Sequence, residues 1–138
     1  MNKGLFSTLA VAIGTGLLLW VSSCSTGGNP YPTIAFRIKT DSVSTQSSYV
    51  SLPHDTIFTL NINASKTGPD GLLKDFKITR NINGGPDSVL LDATVNTQYF
   101  SQFYSYKAGD SGTIETYTFT IGNADGYTSS IQFVDTVR

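Results

Sequence analysis

Near the carboxyl end of the chain, apolar and polar residues alternate in two runs, at residues 117–121 and 127–133. A period of two is the pattern of a β-strand with one buried face. Asp125 and Gly126 stand between the runs, and an Asp-Gly pair in that place favours a hairpin turn because glycine tolerates a positive φ. The two runs therefore predict an antiparallel hairpin whose register is determined by its buried face.

The same alternation predicts further strands at residues 34–38, 49–52, 57–64, 76–82, 89–95 and 99–107. Clusters of Gly, Pro, Asn and Asp separate these runs, at a spacing typical of a β-sandwich or a small barrel. Alanine and leucine are sparse after residue 24, whereas Thr, Ser, Ile, Val, Tyr and Phe are frequent. This composition favours strands over helices, so we predict an all-β domain of seven to eight strands.

Two details of the strand pattern bear on how the sheets are built. Arg80 interrupts the apolar face of the run at residues 76–82, which predicts that it lies near the end of its sheet. In the run at residues 89–95, the pattern leaves open whether Val89 and Leu91 or Leu90 face inward.

The final hairpin also carries a resemblance to a known family. Its residues are Glu115-Thr116-Tyr117-Thr118-Phe119-Thr120-Ile121, followed by Asn123-Ala124-Asp125-Gly126-Tyr127. They resemble the closing hairpin of bacterial immunoglobulin-like domains, which are similar to fibronectin type III and polycystic-kidney-disease modules. The resemblance implies an immunoglobulin-like antiparallel β-sandwich over residues 33–138. The paired cysteines and strand-C tryptophan of antibody-type domains are absent from this region, which excludes that subclass.

The amino-terminal region has the profile of a signal peptide. Lys3 precedes residues 4–21, which carry no charged side chain, and a short apolar run after a positive start is typical of a secretory signal. A membrane-spanning helix needs about 20 predominantly apolar residues, and this run is shorter and interrupted by Gly14, Thr15 and Gly16. We therefore predict a cleaved signal peptide over residues 1–23, with an uncleaved membrane anchor as the alternative.

The four residues Val21-Ser22-Ser23-Cys24 end this run and include the only cysteine of the chain. They resemble the lipobox of bacterial lipoproteins. The resemblance implies that Cys24 becomes the lipidated first residue of the mature protein and that residues 24–32 form a tether to the domain. Several acyl chains, each contributing about 0.8 kcal/mol per buried methylene, would anchor the protein in the envelope. By analogy with lipoprotein sorting, Ser25 favours the outer membrane, facing the periplasm or the surface.

Charge and motifs argue against most kinds of chemistry. The formal net charge is −1 with no basic patch, so a nucleic acid is not an expected partner. His54, the only histidine, lies in a predicted turn, and no Gly-x-Ser-x-Gly elbow is present. Most aspartates also fall in predicted turns. We expect no enzymatic activity, cofactor or metal. A calcium site at Asn123, Asp125 or Asp110 is the alternative, although hairpin geometry accounts for Asn123 and Asp125.

One segment concentrates aromatic residues that are candidates for ligand binding. They are Tyr99, Phe100, Phe103, Tyr104 and Tyr106. Aromatic side chains on an exposed face can stack on sugars or anchor a protein partner, but one set of alternating positions must face the core.

We therefore expect a non-enzymatic, lipid-anchored module for interaction or assembly in the envelope, with an envelope protein or a glycan as partner. The alternatives are a glycan-binding module that uses this aromatic segment and an enzyme with an unfamiliar site.

Overall fold

The computed structural model describes residues 29–40, 44–69 and 71–138, and these residues form nine strands and no helix. The strands are β1 (Thr33–Lys39), β2 (Ser44–Thr45), β3 (Tyr49–Val50), β4 (Ile57–Ser65), β5 (Leu73–Ile82), β6 (Ser88–Thr97), β7 (Tyr99–Lys107), β8 (Ile114–Asn123) and β9 (Thr128–Thr136). The predicted signal peptide and Cys24 lie outside the described residues. Seven strands are long and two have only two residues each, so the prediction of an all-β fold is confirmed.

The strands form two sheets in the order β2-β1-β4-β7 and β3-β9-β8-β5-β6. All neighbours are antiparallel except β3 and β9, which run parallel. The order β1-β4-β7 corresponds to strands A, B and E of an immunoglobulin fold. The order β9-β8-β5-β6 corresponds to G, F and C with a further strand at the C edge. The domain is an immunoglobulin-like β-sandwich.

The core lies between the sheets, where alternate residues of β4, β5 and β8 are buried. Its centre is a cluster of aromatic rings. The centroid of the Phe58 ring lies 5.7 Å from that of Tyr117 and 5.6 Å from that of Phe133. Tyr117 and Phe133 stack with centroids 5.2 Å apart. Phe58 comes from one sheet and the other two residues from the opposite sheet, so the cluster joins the two layers.

The predicted hairpin is formed by β8 and β9, which pair from Ile114 with Thr136 to Gly122 with Thr128. Gly126 has φ of 87°, a conformation that residues with a side chain rarely adopt. The Asn123 N–H donates to the Tyr127 carbonyl, and the Gly126 N–H donates to the Asn123 carbonyl. The Asp-Gly turn is confirmed, although the second strand begins at Thr128 and leaves Tyr127 in the turn.

The orientation of β6 follows from an irregularity in its pairing with β5. The register shifts between Ile78 and Thr79, so that Ile78 pairs with Leu91 and Thr79 with Val89. Because of this shift, Leu90 and Leu91 are both half-buried against the core, and Val89 is exposed. Neither of the two simple alternations is followed here.

Residues 29–32, predicted as part of the tether, lie against the domain. The Tyr31 ring packs edge-on against Tyr127, with centroids 5.3 Å apart. The Thr67 hydroxyl donates to the Tyr31 carbonyl at 2.6 Å, and the Asn123 amide donates to the Pro30 carbonyl at 3.1 Å. The chain therefore meets the domain before β1 begins, at the end of the sandwich that carries the β8–β9 turn.

Candidate functional site

Strand β7 divides the predicted aromatic residues between the two faces of its sheet. Phe100, Tyr104 and Tyr106 point into the sandwich, where Phe100 is buried and the two tyrosines are half-buried against the core. Tyr99 and Phe103 point outward and are 60% and 68% exposed. Two of the five candidates are thus freely accessible on one face.

The inward-facing residues pack against other aromatic rings. Phe76 lies 4.7 Å from Phe100 and 5.8 Å from Tyr104, measured between ring centroids, and Phe58 lies 6.1 Å from Tyr106. Burial raises the pKa of Tyr106 to about 12, with a smaller contribution from Tyr104. These contacts give Phe100, Tyr104 and Tyr106 a role in the core.

The outward-facing residues differ in their surroundings. Tyr99 donates its hydroxyl to Asn63 Oδ1 at 3.0 Å, near the end of the sheet where β1 begins. Phe103 pairs across the sheet with Asn61 of β4, and Asn61 pairs with Arg37 of β1. Since these three side chains lie on the same outer face, Phe103 belongs to a row that contains an amide and a cation.

This row opens into a groove of about 1070 Å³. Its walls come from β1, β4, β7, the segment 51–56 and Arg138. Sites for small ligands usually measure about 300 to 1,000 Å³, so the groove has room for a ligand of that class. We call it the outer-face groove.

The outer-face groove is positively charged, although the whole chain is slightly negative. Its charged lining residues are Arg37, Lys39, Arg138 and Asp55. The Asp55 carboxylate already accepts a bond from Lys107 Nζ at 2.8 Å and lies 3.3 Å from His54 Nε2. The hydrogen bond from Lys107 is the main reason that the pKa of Asp55 is lowered. Within residues 29–40, 44–69 and 71–138, no ion pair engages the three cations of the groove.

His54 has a structural place in its turn. Its Nδ1–H donates to the Gly109 carbonyl at 2.7 Å, and its backbone N–H donates to the Arg138 carbonyl at 2.8 Å. The two contacts connect the segment before β4 to the chain at Gly109 and at Arg138. The surroundings of His54 therefore match the turn role expected from the sequence.

Of the residues considered for calcium, Asn123 uses its side-chain oxygen in turn contacts, and Asp110 makes a turn contact through its backbone carbonyl. Asn123 Oδ1 accepts from the N–H groups of Asp125 and Tyr127, at 3.1 and 2.9 Å. The Asp110 carbonyl accepts from the Thr113 hydroxyl at 2.7 Å. Across the part of the chain that the structure describes, no group of three His, Cys, Asp or Glu side chains could hold a metal ion.

A cluster of inward-facing charged residues was missed by sequence reasoning. Arg80, Glu115 and Asp135 lie at one end of the sandwich, and both carboxylates have no exposed surface. Arg80 Nη1 is 3.6 Å from Glu115 Oε1, and the Tyr117 hydroxyl donates to Glu115 Oε2 at 2.9 Å. Arg80 lies at the sheet end, as predicted. Asp135 does not lie in a turn but is buried in β9.

A sequence signal for this cluster existed. Glu115 is in phase with Tyr117 and Phe119, and Asp135 is in phase with Phe133. Because alternate residues of a strand share a face, extending each alternation by one step places both carboxylates on the buried side. Their direct pairing across β8 and β9 needed the three-dimensional register.

Burial raises the pKa of Asp135 to about 6, from an ordinary value of 3.8. The Leu52 N–H, which donates to its Oδ1 at 3.0 Å, opposes this shift, and the nearby Glu115 charge adds to it. Oδ2 has no hydrogen-bond partner among the described residues. The folded protein therefore holds the Asp135 proton more tightly than the unfolded chain does.

Replacing Asp135 by asparagine is expected to raise the free energy of unfolding by about 1 to 2 kcal/mol at pH 7.5, since one pKa unit corresponds to about 1.4 kcal/mol. The stabilisation from the protonated carboxyl is complete below pH 3.8 and lost as the pH rises through about 6. Urea unfolding at pH 4.5 and 7.5 should thus show a smaller loss of stability with rising pH in Asp135→Asn than in wild type. Exposed Asp75→Asn serves as control. Parallel pH dependences of Asp135→Asn and wild type would contradict the expectation.

Among the described residues, no helix has the length and hydrophobicity to cross a membrane. No family model and no curated protein matches this chain. One similar solved structure is the crystal structure of a CARDB domain from Pyrococcus furiosus in complex with di-metal ions. It is 13% identical, and the match covers 78% of this chain and 89% of that chain with a TM-score of 0.49.

Proposed function

We propose that this protein is a lipid-anchored, non-enzymatic module of the bacterial envelope that binds a partner through the outer face of the β1-β4-β7 sheet. The observation that carries the proposal is the outer-face groove, which is lined by the 68% exposed Phe103 and by three cations that have no ion-pair partner among the described residues. Exposed aromatic and arginine side chains are enriched at binding surfaces. An isolated surface phenylalanine is common, but one set in a charged groove of this size favours a binding role.

The lipid on Cys24 rests on the sequence of residues 21–24, and the position of the tether is compatible with it. Residues 29–32 lie at the end of the sandwich that carries the β8–β9 turn. A lipid five residues before Asn29 would hold this end of the domain close to the bilayer, because an extended chain spans at most about 3.3 to 3.6 Å per residue. The outer membrane is the proposed location.

Replacing Cys24 by alanine is expected to abolish incorporation of alkyne-palmitate and to move the protein from the membrane to the soluble fraction. The reason is that a thioether-linked lipid requires the cysteine sulfur, and no other cysteine is present. Labelling and fractionation of wild type, Cys24→Ala and Cys24→Ser check this. Labelling that persists in either variant would refute the lipid anchor.

The binding face is tested by crosslinking and pull-down from native envelopes. A partner recovered with wild type should be lost with Phe103→Ala and retained with Tyr99→Ala, which removes an exposed aromatic residue from the same face of the same strand. Equal recovery with both variants would place the binding surface elsewhere. Loss of the partner with both would remove the special role of Phe103.

A second candidate function is glycan binding, favoured by the combination of Phe103 with the amide of Asn61 on one face. Of the five aromatic residues expected to bind, only Tyr99 and Phe103 present their rings to solvent, so this function would use the outer-face groove rather than the whole segment.

A further inference from the structure

We propose that the outer-face groove binds an acidic oligosaccharide whose sugar units carry carboxylates. This inference rests on the proposed binding role of the groove and names its ligand class. Three features of the groove support it: an exposed aromatic ring, a pair of cations on one strand, and an amide that lies between one of these cations and the ring.

The aromatic ring is that of Phe103. It projects from the outer face of β7 and lines the groove. A sugar ring has an apolar face of C–H groups. When this face stacks on an aromatic ring, apolar surface of both rings is buried. Phe103 has no polar atom, so its contribution to binding is apolar contact alone.

The cations are Arg37 and Lys39, two positions apart on β1. Residues i and i+2 of a strand share one face and are about 7 Å apart, so both side chains extend from the outer face into the same groove. A guanidinium can bind a carboxylate through two parallel hydrogen bonds, and an ammonium adds a compact positive charge. Arg138 lines the groove from the segment beyond β9. Among the described side chains that line the groove, the acidic one is Asp55, whose charge is engaged by Lys107.

The amide is that of Asn61, which lies between Arg37 and Phe103 across the sheet. Its Oδ1 is buried and has no hydrogen-bond partner among the described residues. A carboxamide offers an acceptor and two donors, which matches sugar hydroxyl groups, since these both donate and accept. Across the sheet from β1 to β7, the row therefore presents a cation, an amide and an apolar ring, one from each strand.

The place of the groove favours a glycan over a lipid headgroup. Thr33, at the start of β1, lies near the tether, and Lys39 is six residues further along the strand. At about 3.3 Å per residue, the cationic end of β1 is about 20 Å further from the tether than its start. The cationic end of β1 is therefore the end farther from the point at which the proposed tether meets the domain.

The test is isothermal titration calorimetry of the full chain in detergent with trigalacturonate and with its carboxyl-reduced, neutral counterpart galactotriose. We expect trigalacturonate to bind on the order of tenfold more tightly than galactotriose, with affinity that falls as salt rises. Phe103→Ala and the double variant Arg37→Gln/Lys39→Gln should each weaken binding on the order of tenfold. The matched controls Tyr99→Ala and Lys74→Gln, both outside the groove, should stay within about twofold of wild type.

Several outcomes would overturn the proposal. They are absence of trigalacturonate binding, equal binding of galactotriose, and equal loss of affinity in the control variants. Inorganic phosphate or glycerol 1-phosphate binding as tightly as trigalacturonate would also overturn it, because the groove would then be a general anion or headgroup site. If trigalacturonate does not bind but the pull-down still depends on Phe103, the ligand class is wrong and the binding face stands.

Discussion

Replacing Arg80 by methionine is expected to lower the free energy of unfolding by about 3 kcal/mol at pH 7.5, because removing the partner of a buried carboxylate leaves its charge uncompensated. Glu115 is fully buried, and Arg80 is the cation that lies near it, at 3.6 Å. The second buried carboxylate, Asp135, is the direct neighbour of Glu115 across β8 and β9. Without Arg80, two carboxylates would share one apolar end of the sandwich.

A double-mutant cycle separates this electrostatic effect from lost packing. Adding Glu115→Gln to Arg80→Met removes the uncompensated charge, so the double variant should regain much of the lost stability. The control Arg37→Met removes an arginine from an outer face, and we expect it to change the free energy of unfolding by less than about 0.5 kcal/mol. Urea unfolding of wild type, Arg80→Met, Glu115→Gln, the double variant and Arg37→Met gives the coupling energy and the control value. A double variant no more stable than Arg80→Met would show that the arginine acts through its aliphatic stem.

Replacing Phe58 by alanine is expected to cost about 3 to 5 kcal/mol of folding free energy. Its ring is fully buried and touches Tyr106, Tyr117 and Phe133, so its removal leaves a cavity at the contact between the two sheets. Since domains of this size have total stabilities of about 5 to 15 kcal/mol, the variant should be close to unfolding.

Phe103→Ala is the matched control for this prediction. It makes the same chemical change on the neighbouring strand of the same sheet, but its ring points to solvent. We expect a loss below about 0.5 kcal/mol, measured by thermal and urea unfolding. Similar losses at the two positions would contradict the assignment of Phe58 to the core and Phe103 to the binding face. A loss this small also means that the Phe103→Ala protein used in the binding experiments is folded.

The charged cluster at the end of the sandwich is connected to the outer-face groove. Arg80, Glu115 and Asp135 form a charged end to an otherwise apolar core, and the Leu52 N–H connects Asp135 to the segment that lines the outer-face groove. Substitutions in the charged cluster can therefore alter the groove through this segment, whereas Phe103, Arg37 and Lys39 can be changed without touching the core. For this reason the binding tests rely on residues of the outer face.

The strand pattern predicted the location of the seven long strands, because alternation reports directly which face of a strand is buried. It also predicted the Asp-Gly turn and the position of Arg80 at a sheet end. It left the buried face open where pairing is irregular: in β6 a register shift leaves both Leu90 and Leu91 half-buried. A shift of this kind depends on the partner strand, which a single run of residues does not contain.

For the candidate site, sequence reasoning identified the aromatic segment but could not assign its two faces, since both sets of alternating positions contain aromatic residues. Packing decides which set faces the core. Phe100 and Tyr104 pack against Phe76, and Tyr106 packs against Phe58, so Tyr99 and Phe103 point outward. The cations of the outer-face groove come from β1 and from the segment beyond β9, far from Phe103 in the chain.

The sequence by itself determined the all-β class, the strand order along the chain, the hairpin turn and the prediction of a lipid on Cys24, because each depends on residues that are neighbours in the chain. Only the tertiary structure decided which strands pair, which aromatic residues are exposed, and that Arg37, Asn61 and Phe103 form one row. Such a row arises from hydrogen-bonded register between three strands. Its members are separated by more than twenty residues in the chain, and no local pattern brings them together.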